Sequence, residues 1–190
     1  MVLKYAILSF LSWRPLTGYE LKKMFSESIF IYWSGNNNQI YTTLMQLHHE
    51  ELVTVEVQHQ EKSPSRKIYT ITDKGLAQLK EWLSSTPELP QLRSAFLIQL
   101  AWADLLSPQE LDSVLGRYEH EVEMQVLMCR EQKRRNRINP SRSERETYIW
   151  HEISEHWIDS FAQELAWVKK VRSNLSAGKF TGSNNPSPQE

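Results

Sequence analysis

The chain has 190 residues, 40% of them apolar, with 22 Lys+Arg against 23 Asp+Glu and a net charge of −1. That length holds one or two modest domains with real cores. Its single cysteine, Cys129, excludes a disulfide scaffold and fits a reducing cytoplasm. The near-zero charge excludes a uniformly basic nucleic-acid binder, so any such role must rest on where the charges lie.

Val2, Leu3, Ala6, Ile7, Phe10 and Leu11 follow helical spacing and predict a core-facing helix over 2–11. This apolar opening has one early base, Lys4, but no small-residue cleavage site before Trp13-Arg14-Pro15, so a signal peptide is not expected. No apolar run reaches membrane-spanning length. Trp13-Arg14-Pro15-Leu16 breaks the helix, and Thr17-Gly18-Tyr19-Glu20 then has the form of a capping box. The helix it opens presents Tyr19, Leu21, Met24 and Phe25.

A second break, Ser34-Gly35-Asn36, leads into a helix with two dissimilar faces. Ile40, Leu44 and Leu47 share the apolar one. Asn38, Thr42, Gln46 and His49 project roughly opposite, where an ordinary solvated face would carry Lys and Glu. Uncharged amides and hydroxyls can donate and accept toward base edges in a major groove. Alone the pattern also fits a plain surface helix; its setting decides.

After Leu52 the period becomes two. Val53, Val55 and Val57 alternate with polar residues, and Lys67–Thr72 alternates again. Between them His59–Arg66 reads as a polar, basic loop containing Lys62, Ser65 and Arg66. Thr72-Asp73-Lys74-Gly75 caps a further helix with Leu76, Leu79, Trp82 and Leu83. Helix, break, helix, turn, polar-faced helix and basic hairpin together predict a winged helix-turn-helix domain over 1–85. Nine bases against eight acids leave this domain at only +1. Lys62, Arg66 and Lys67 nevertheless gather in the wing, and Lys22-Lys23 precede the polar-faced helix.

Gly18-Tyr19-x-Leu21, Ile40-Tyr41-x-x-Leu44-x-x-Leu47, Leu52-Val53 and Arg66-Lys67-x-Tyr69-x-Ile71-Thr72-x-x-Gly75 resemble the PadR family of bacterial transcriptional regulators. The likeness lies in the first half, and the helical second half is similar to the longer members. Two positions depart from the pattern: Glu51 stands where a glycine is usual, and Thr42 where proline is frequent. The resemblance implies a C-terminal dimerisation domain and an inducer, often a small aromatic such as a phenolic acid, held between the two parts. Tyr19, Trp33, Phe96 and Trp102 are the expected lining.

Thr86-Pro87-Glu88-Leu89-Pro90 reads as a linker. Phe96, Leu97, Leu100, Ala101 and Leu105 are helix-spaced, and Ser107-Pro108-Gln109-Glu110 is a clear start signal. Leu111, Leu115, Tyr118, Val122 and Cys129 continue a seam over about 30 residues, roughly 45 Å of helix, ended by Asn139-Pro140-Ser141. Ser143-Glu144-Arg145-Glu146 has the form of another capping box, opening a last helix with Trp150, Ile153, Trp157, Phe161, Leu165, Val168 and Leu175. Two long amphipathic helices carry more apolar face than one protomer buries, which predicts a homodimer through 91–175. Residues 176–190, rich in Ser, Asn, Gly and Pro, read as a disordered tail.

The run Arg130, Lys133, Arg134, Arg135, Arg137, Arg142 and Arg145 is either a solvated helix end or an added phosphate contact. His151-Glu152-x-x-x-His156 is one residue too long for a zinc motif, and no nucleophile elbow or phosphate loop occurs. No enzyme, metal or cofactor is expected. The numerous tryptophans either fill helix interfaces or stack on flat ligands.

The sequence thus predicts a mainly α protein with a small β-wing: a winged domain followed by long dimerisation helices. It is expected to be a cytoplasmic regulator, in the first instance a repressor, bound as a homodimer to a pseudo-palindromic duplex and released by an aromatic effector. Asn38, Thr42 and Gln46 would meet base edges; Tyr41, Lys62, Arg66 and Lys67 would hold phosphates; Gln39 and Ser65 are further expected DNA contacts. The alternative is a winged module that binds protein without reading DNA.

Overall fold

The computed structural model describes residues 2–28, 37–60, 63–89, 94–135 and 140–179. Trp33, Lys62, Arg137, the break at 34–36 and the tail from 180 lie outside them. The chain divides into two compact units: residues 1–90 with 136–150, and residues 91–135 with 151–190.

In the first unit the order is α1 (Val2–Leu11), β1 (Leu16–Thr17), α2 (Gly18–Glu27), α3 (Asn37–His49), β2 (Val53–Gln60), β3 (Ser63–Ile71) and α4 (Asp73–Leu83). Leu3, Ile7, Leu8 and Leu11 of α1 pack with Leu21 and Phe25 of α2 and Ile40, Leu44 and Leu47 of α3. Burying apolar surface contributes on the order of 25 cal/mol per Å², so these leucines and isoleucines hold the three helices together. Phe10 meets Phe25 edge-on at 5.1 Å, and Tyr5 stacks on Trp82 of α4 at 4.5 Å.

The hairpin belongs to a three-stranded antiparallel sheet in the order β1-β3-β2. Its third strand was not predicted. Leu16 pairs with Tyr69 and Thr17 with Ile68, and two residues are too few to show a period. The hairpin also runs further than the alternation indicated. Gln58 pairs with Arg66, and Gln60 with Ser63 across a register shift. Ser65 and Arg66 therefore stand on β3, not in a loop.

The capping signals behave as read, with one exception. Thr17 Oγ1 accepts from the Glu20 amide at 3.1 Å, and the Glu20 carboxylate accepts from the Thr17 amide at 2.8 Å. Ser107 and Glu110 make the same reciprocal pair. Ser143 accepts from the Glu146 amide at 3.1 Å, but the Glu146 carboxylate turns instead to the Arg142 amide and guanidinium.

The second unit contains α5 (Ala95–Ala101), a 3-10 turn (Ala103–Leu105) and α6 (Pro108–Arg135). It also holds most of α7 (Glu144–Ser176), whose first turns belong to the first unit. Phe96, Leu115 and Val168 are its buried centre, with Leu111, Tyr118, Leu165 and Leu175 packed around them. Arg172 of α7 clamps Asp112 at 2.7 and 3.0 Å and reaches Glu119 at 3.2 Å. The guanidinium lies over Gly116, where an added Cβ would sit 3.2 Å from it. No helix among the described residues is long and apolar enough to cross a membrane.

Candidate nucleic-acid interface

α3 is sorted by its side chains into two faces. Ile40, Leu44 and Leu47 are buried, while Asn38, Gln39, Thr42, Met45, Gln46, His48 and His49 are exposed. The core grips one side and leaves the amides and hydroxyls outward. Within α3 there is neither an acid nor a Lys or Arg, so the outward face neither repels nor attracts phosphate strongly and is suited to hydrogen bonding. Sequence reasoning omitted Met45, which is 63% exposed; a thioether reads as core in any apolar count.

Tyr41 is 44% exposed and its ring rests on the first turn of α2. A Cβ added at Gly18 would lie 2.5 Å from Tyr41 Cε1, so the absent side chain there is what lets the ring lie flat. Burial, and after it the neighbouring Tyr41, pushes the Tyr69 phenol upward.

The end of α3 is closed by a Schellman motif: Leu52 N–H donates to Leu47 O at 2.9 Å and Glu51 N–H to His48 O at 3.0 Å. Glu51 adopts φ 61°, a left-handed conformation that glycine takes without strain. The departure from the family's glycine therefore changes the residue and keeps the turn. Its carbonyl accepts from Thr72 Oγ1 at 2.8 Å, which ties the turn to the start of α4.

On the wing, Ser65, Arg66 and Lys67 are all exposed. Neighbours on a strand point to opposite faces, so Arg66 and Lys67 serve different directions. Lys67 shares its face with Tyr69 and Ile71, and Arg66 shares the other with Ile68 and Thr70. Many other bases of this unit are already engaged by acids: Lys4 by Glu50, Arg14 by Glu20, Lys23 by Glu27 and Lys74 by Glu51. Arg66 and Lys67 form no ion pair among the described residues.

Several bases of the run from Arg130 to Arg145 are engaged internally. Lys133 pairs with Glu155, Arg142 with Glu146, and Arg134 and Arg135 share Glu131. Arg134, then Arg135, hold the Glu131 carboxyl down at about 2. That favours the helix-end reading over a phosphate contact.

The four residues expected around an effector are not gathered into one described cavity. Tyr19, 70% exposed, belongs to the first unit. Phe96 is buried in the second, stacked on Tyr118 at 3.5 Å, and Trp102 is 67% exposed. A cavity of about 750 Å³ does lie in the second unit, lined by Leu100, Leu106, Leu111, Leu115, Asp104, Arg172 and others, but neither Phe96 nor Trp102 borders it.

Comparison with known proteins agrees with this geometry. Residues 7–81 match the transcriptional regulator PadR-like family, and residues 92–176 match the virulence activator alpha C-terminal family. The chain is 34% identical over 110 residues to the negative transcriptional regulator PadR of Bacillus subtilis, an alignment spanning 57% of this chain and 60% of that relative. Its fold is similar to Bacillus subtilis PadR in complex with operator DNA (TM-score 0.80, 23% identity, 92% of this chain and 99% of the other). It is similar also to the same protein in complex with p-coumaric acid (TM-score 0.73, 23% identity, 93% and 99%). The Vibrio cholerae virulence activator AphA superimposes with a TM-score of 0.69 at 25% identity, over 93% of this chain and 99% of that one.

Proposed function

Since the chain belongs to the PadR-like family of transcriptional regulators, we propose that it regulates transcription as a homodimer that inserts α3 into a major groove of a pseudo-palindromic operator. The observation that carries this is the exposed face of α3, without an acid, Lys or Arg, together with two exposed wing bases that form no ion pair among the described residues. Asn38, Gln39, Thr42 and Gln46 meet base edges; Tyr41, Ser65, Arg66 and Lys67 hold the sugar-phosphate backbone, with Lys62 added at the wing tip. Residues 1–85 act as the DNA-binding domain and 91–175 as the dimerisation and effector domain.

Dimerisation is supported by apolar surface that the protomer leaves open. Met124, Leu127 and Met128 of α6 and Trp167 of α7 are exposed, while Val122, Val126 and Cys129 of the same α6 turns are buried. A second copy buries that stripe, and two-fold symmetry places paired α3 helices on successive grooves. By analogy with the p-coumaric acid complex of its relative, a small aromatic compound is the effector we favour, with Tyr19, Trp33, Phe96 and Trp102 as candidate contacts. Such a compound releases DNA only to the extent that it binds the low-affinity arrangement better. Repression is our first reading, in line with the negative regulator it resembles; the second-half likeness to virulence activators makes activation the competing one. The setting is the cytoplasm, and no catalytic role is assigned.

A gel shift with the chain's own upstream DNA, at two salt concentrations, tests this. Removing one cation from a phosphate lowers the slope of log affinity against log salt by about one. Arg66→Ala is expected to weaken specific and random duplexes alike and to reduce that slope. No retarded band at low salt would leave the winged domain as a protein-docking module.

A further inference from the structure

Three side chains at the end of α3 form a chain of fixed polarity. Lys4 Nζ, on α1, donates to Glu50 Oε2 at 2.5 Å, and Gln46 Nε2 donates to Glu50 Oε1 at 2.8 Å. Lys4 has no acceptor, and an ionised carboxylate has no donor. The Lys4 ammonium and then the Gln46 amide hold the Glu50 carboxyl below the ordinary carboxylate range, so it is ionised at neutral pH. A side-chain amide has two orientations related by a flip. With the flipped one, Gln46 Oε1 would face an anionic oxygen across 2.8 Å with no proton between them. Only one orientation survives, and it turns the oxygen away from Glu50 on an exposed part of α3.

Base edges in the major groove differ in that same property. Cytosine N4 is a donor, guanine O6 and N7 and thymine O4 are acceptors, and adenine offers both, a donor at N6 and an acceptor at N7. A glutamine that flips freely can turn either its oxygen or its whole –NH2 outward; one that cannot flip keeps its oxygen outward, with the N–H that Glu50 does not use.

We propose that Glu50, anchored by Lys4, is a positioning residue that locks the Gln46 amide with its oxygen outward, so that α3 accepts a base-edge amine and disfavours guanine and thymine, which offer acceptors alone. This rests on the reading of α3 as the recognition helix. The Glu50→Gln variant makes the inference sharp. Lys4 still takes the oxygen of the new amide, which leaves that amide's –NH2 facing Gln46. The Gln46 oxygen then turns inward and its –NH2 outward, so the preference inverts rather than fades.

The test is selection from a randomised duplex library by the full-length protein, its Gln46→Ala variant and its Glu50→Gln variant, with thermal melts as a check on folding. Wild type is expected to enrich adenine or cytosine at one position per half-site by about tenfold, in keeping with a contact of about 1–3 kcal/mol. Gln46→Ala should flatten that position alone, and Glu50→Gln should admit guanine or thymine there and exclude cytosine while the other positions stay. If Glu50→Gln still excludes guanine and thymine there, or if Gln46→Ala leaves the selected sequence unchanged, the lock is wrong although the protein still reads DNA. If wild type enriches no sequence, the recognition-helix reading itself fails and the lock falls with it.

Discussion

Glu51 shows how one residue can obey a motif by geometry while breaking it in composition. A side chain at φ 61° costs about 1 kcal/mol relative to glycine. What Glu51 gains there is an ion pair with Lys74 at 3.0 Å, both side chains being largely exposed, and such pairs contribute little. Glu51→Gly is therefore expected to raise the urea midpoint, stabilising by about 0.5–1 kcal/mol at unchanged m-value; a lower midpoint would mean the ion pair outweighs the strain. Tyr118 gives a second residue-scale test. Burial, then its hydrogen bond to Glu164 at 2.8 Å, pushes its phenol up to about 12. The unfolded chain loses that proton near pH 10 while the fold still holds it. Stability from this group is thus complete below pH 10 and falls as pH climbs from 10 to about 12. Tyr118→Phe should be less stable than wild type at pH 7 and show a shallower decline over that alkaline window in denaturant titrations.

At the level of elements, the join between α3, the wing and α4 depends on close backbone approach. Gly75 sits in the first turn of α4, and its amide donates to Thr72 Oγ1 at 3.0 Å. A Cβ there would come within 2.2 Å of Leu52 O, the carbonyl that also accepts from Thr72 N–H. Alanine favours a helix over glycine by about 1 kcal/mol, but here a backbone atom must move, and overpacking costs about 1–3 kcal/mol. Gly75→Ala should lower the melting temperature of the winged unit; a neutral or higher value would show that α4 shifts freely. Helix starts were legible because caps are local: the Thr17–Glu20 and Ser107–Glu110 pairs lie three residues apart. The Ser143 cap was read only in half, because Arg142 competes for the Glu146 carboxylate. β1 was not legible at all, since its two residues become a strand only through Tyr69 and Ile68.

For the molecule as a whole, the function we propose calls for a second copy. A near-neutral protomer with two wing bases that form no ion pair among the described residues would hold duplex weakly, and pairing would double its grip on the phosphates. Leu127→Asp places a charge on the exposed α6 stripe without touching the buried Val126 and Cys129. Sedimentation should then show a monomer, with operator affinity down at least about tenfold and helix content unchanged. A variant that stays dimeric would move the interface elsewhere.

From the order of residues alone came the two helical periods of the winged half, the switch to a two-residue period at Val53, the long amphipathic helices and the family. Each depends on neighbours within a few turns, where geometry follows directly from spacing. The tertiary structure alone decided which partners meet across long separations: Lys4 with Glu50, Arg172 with Asp112, Gly18 with Tyr41. Forty-six residues separate Lys4 from Glu50, and no periodicity reaches that far. The core brings α1 against α3, and so decides which way the Gln46 amide points.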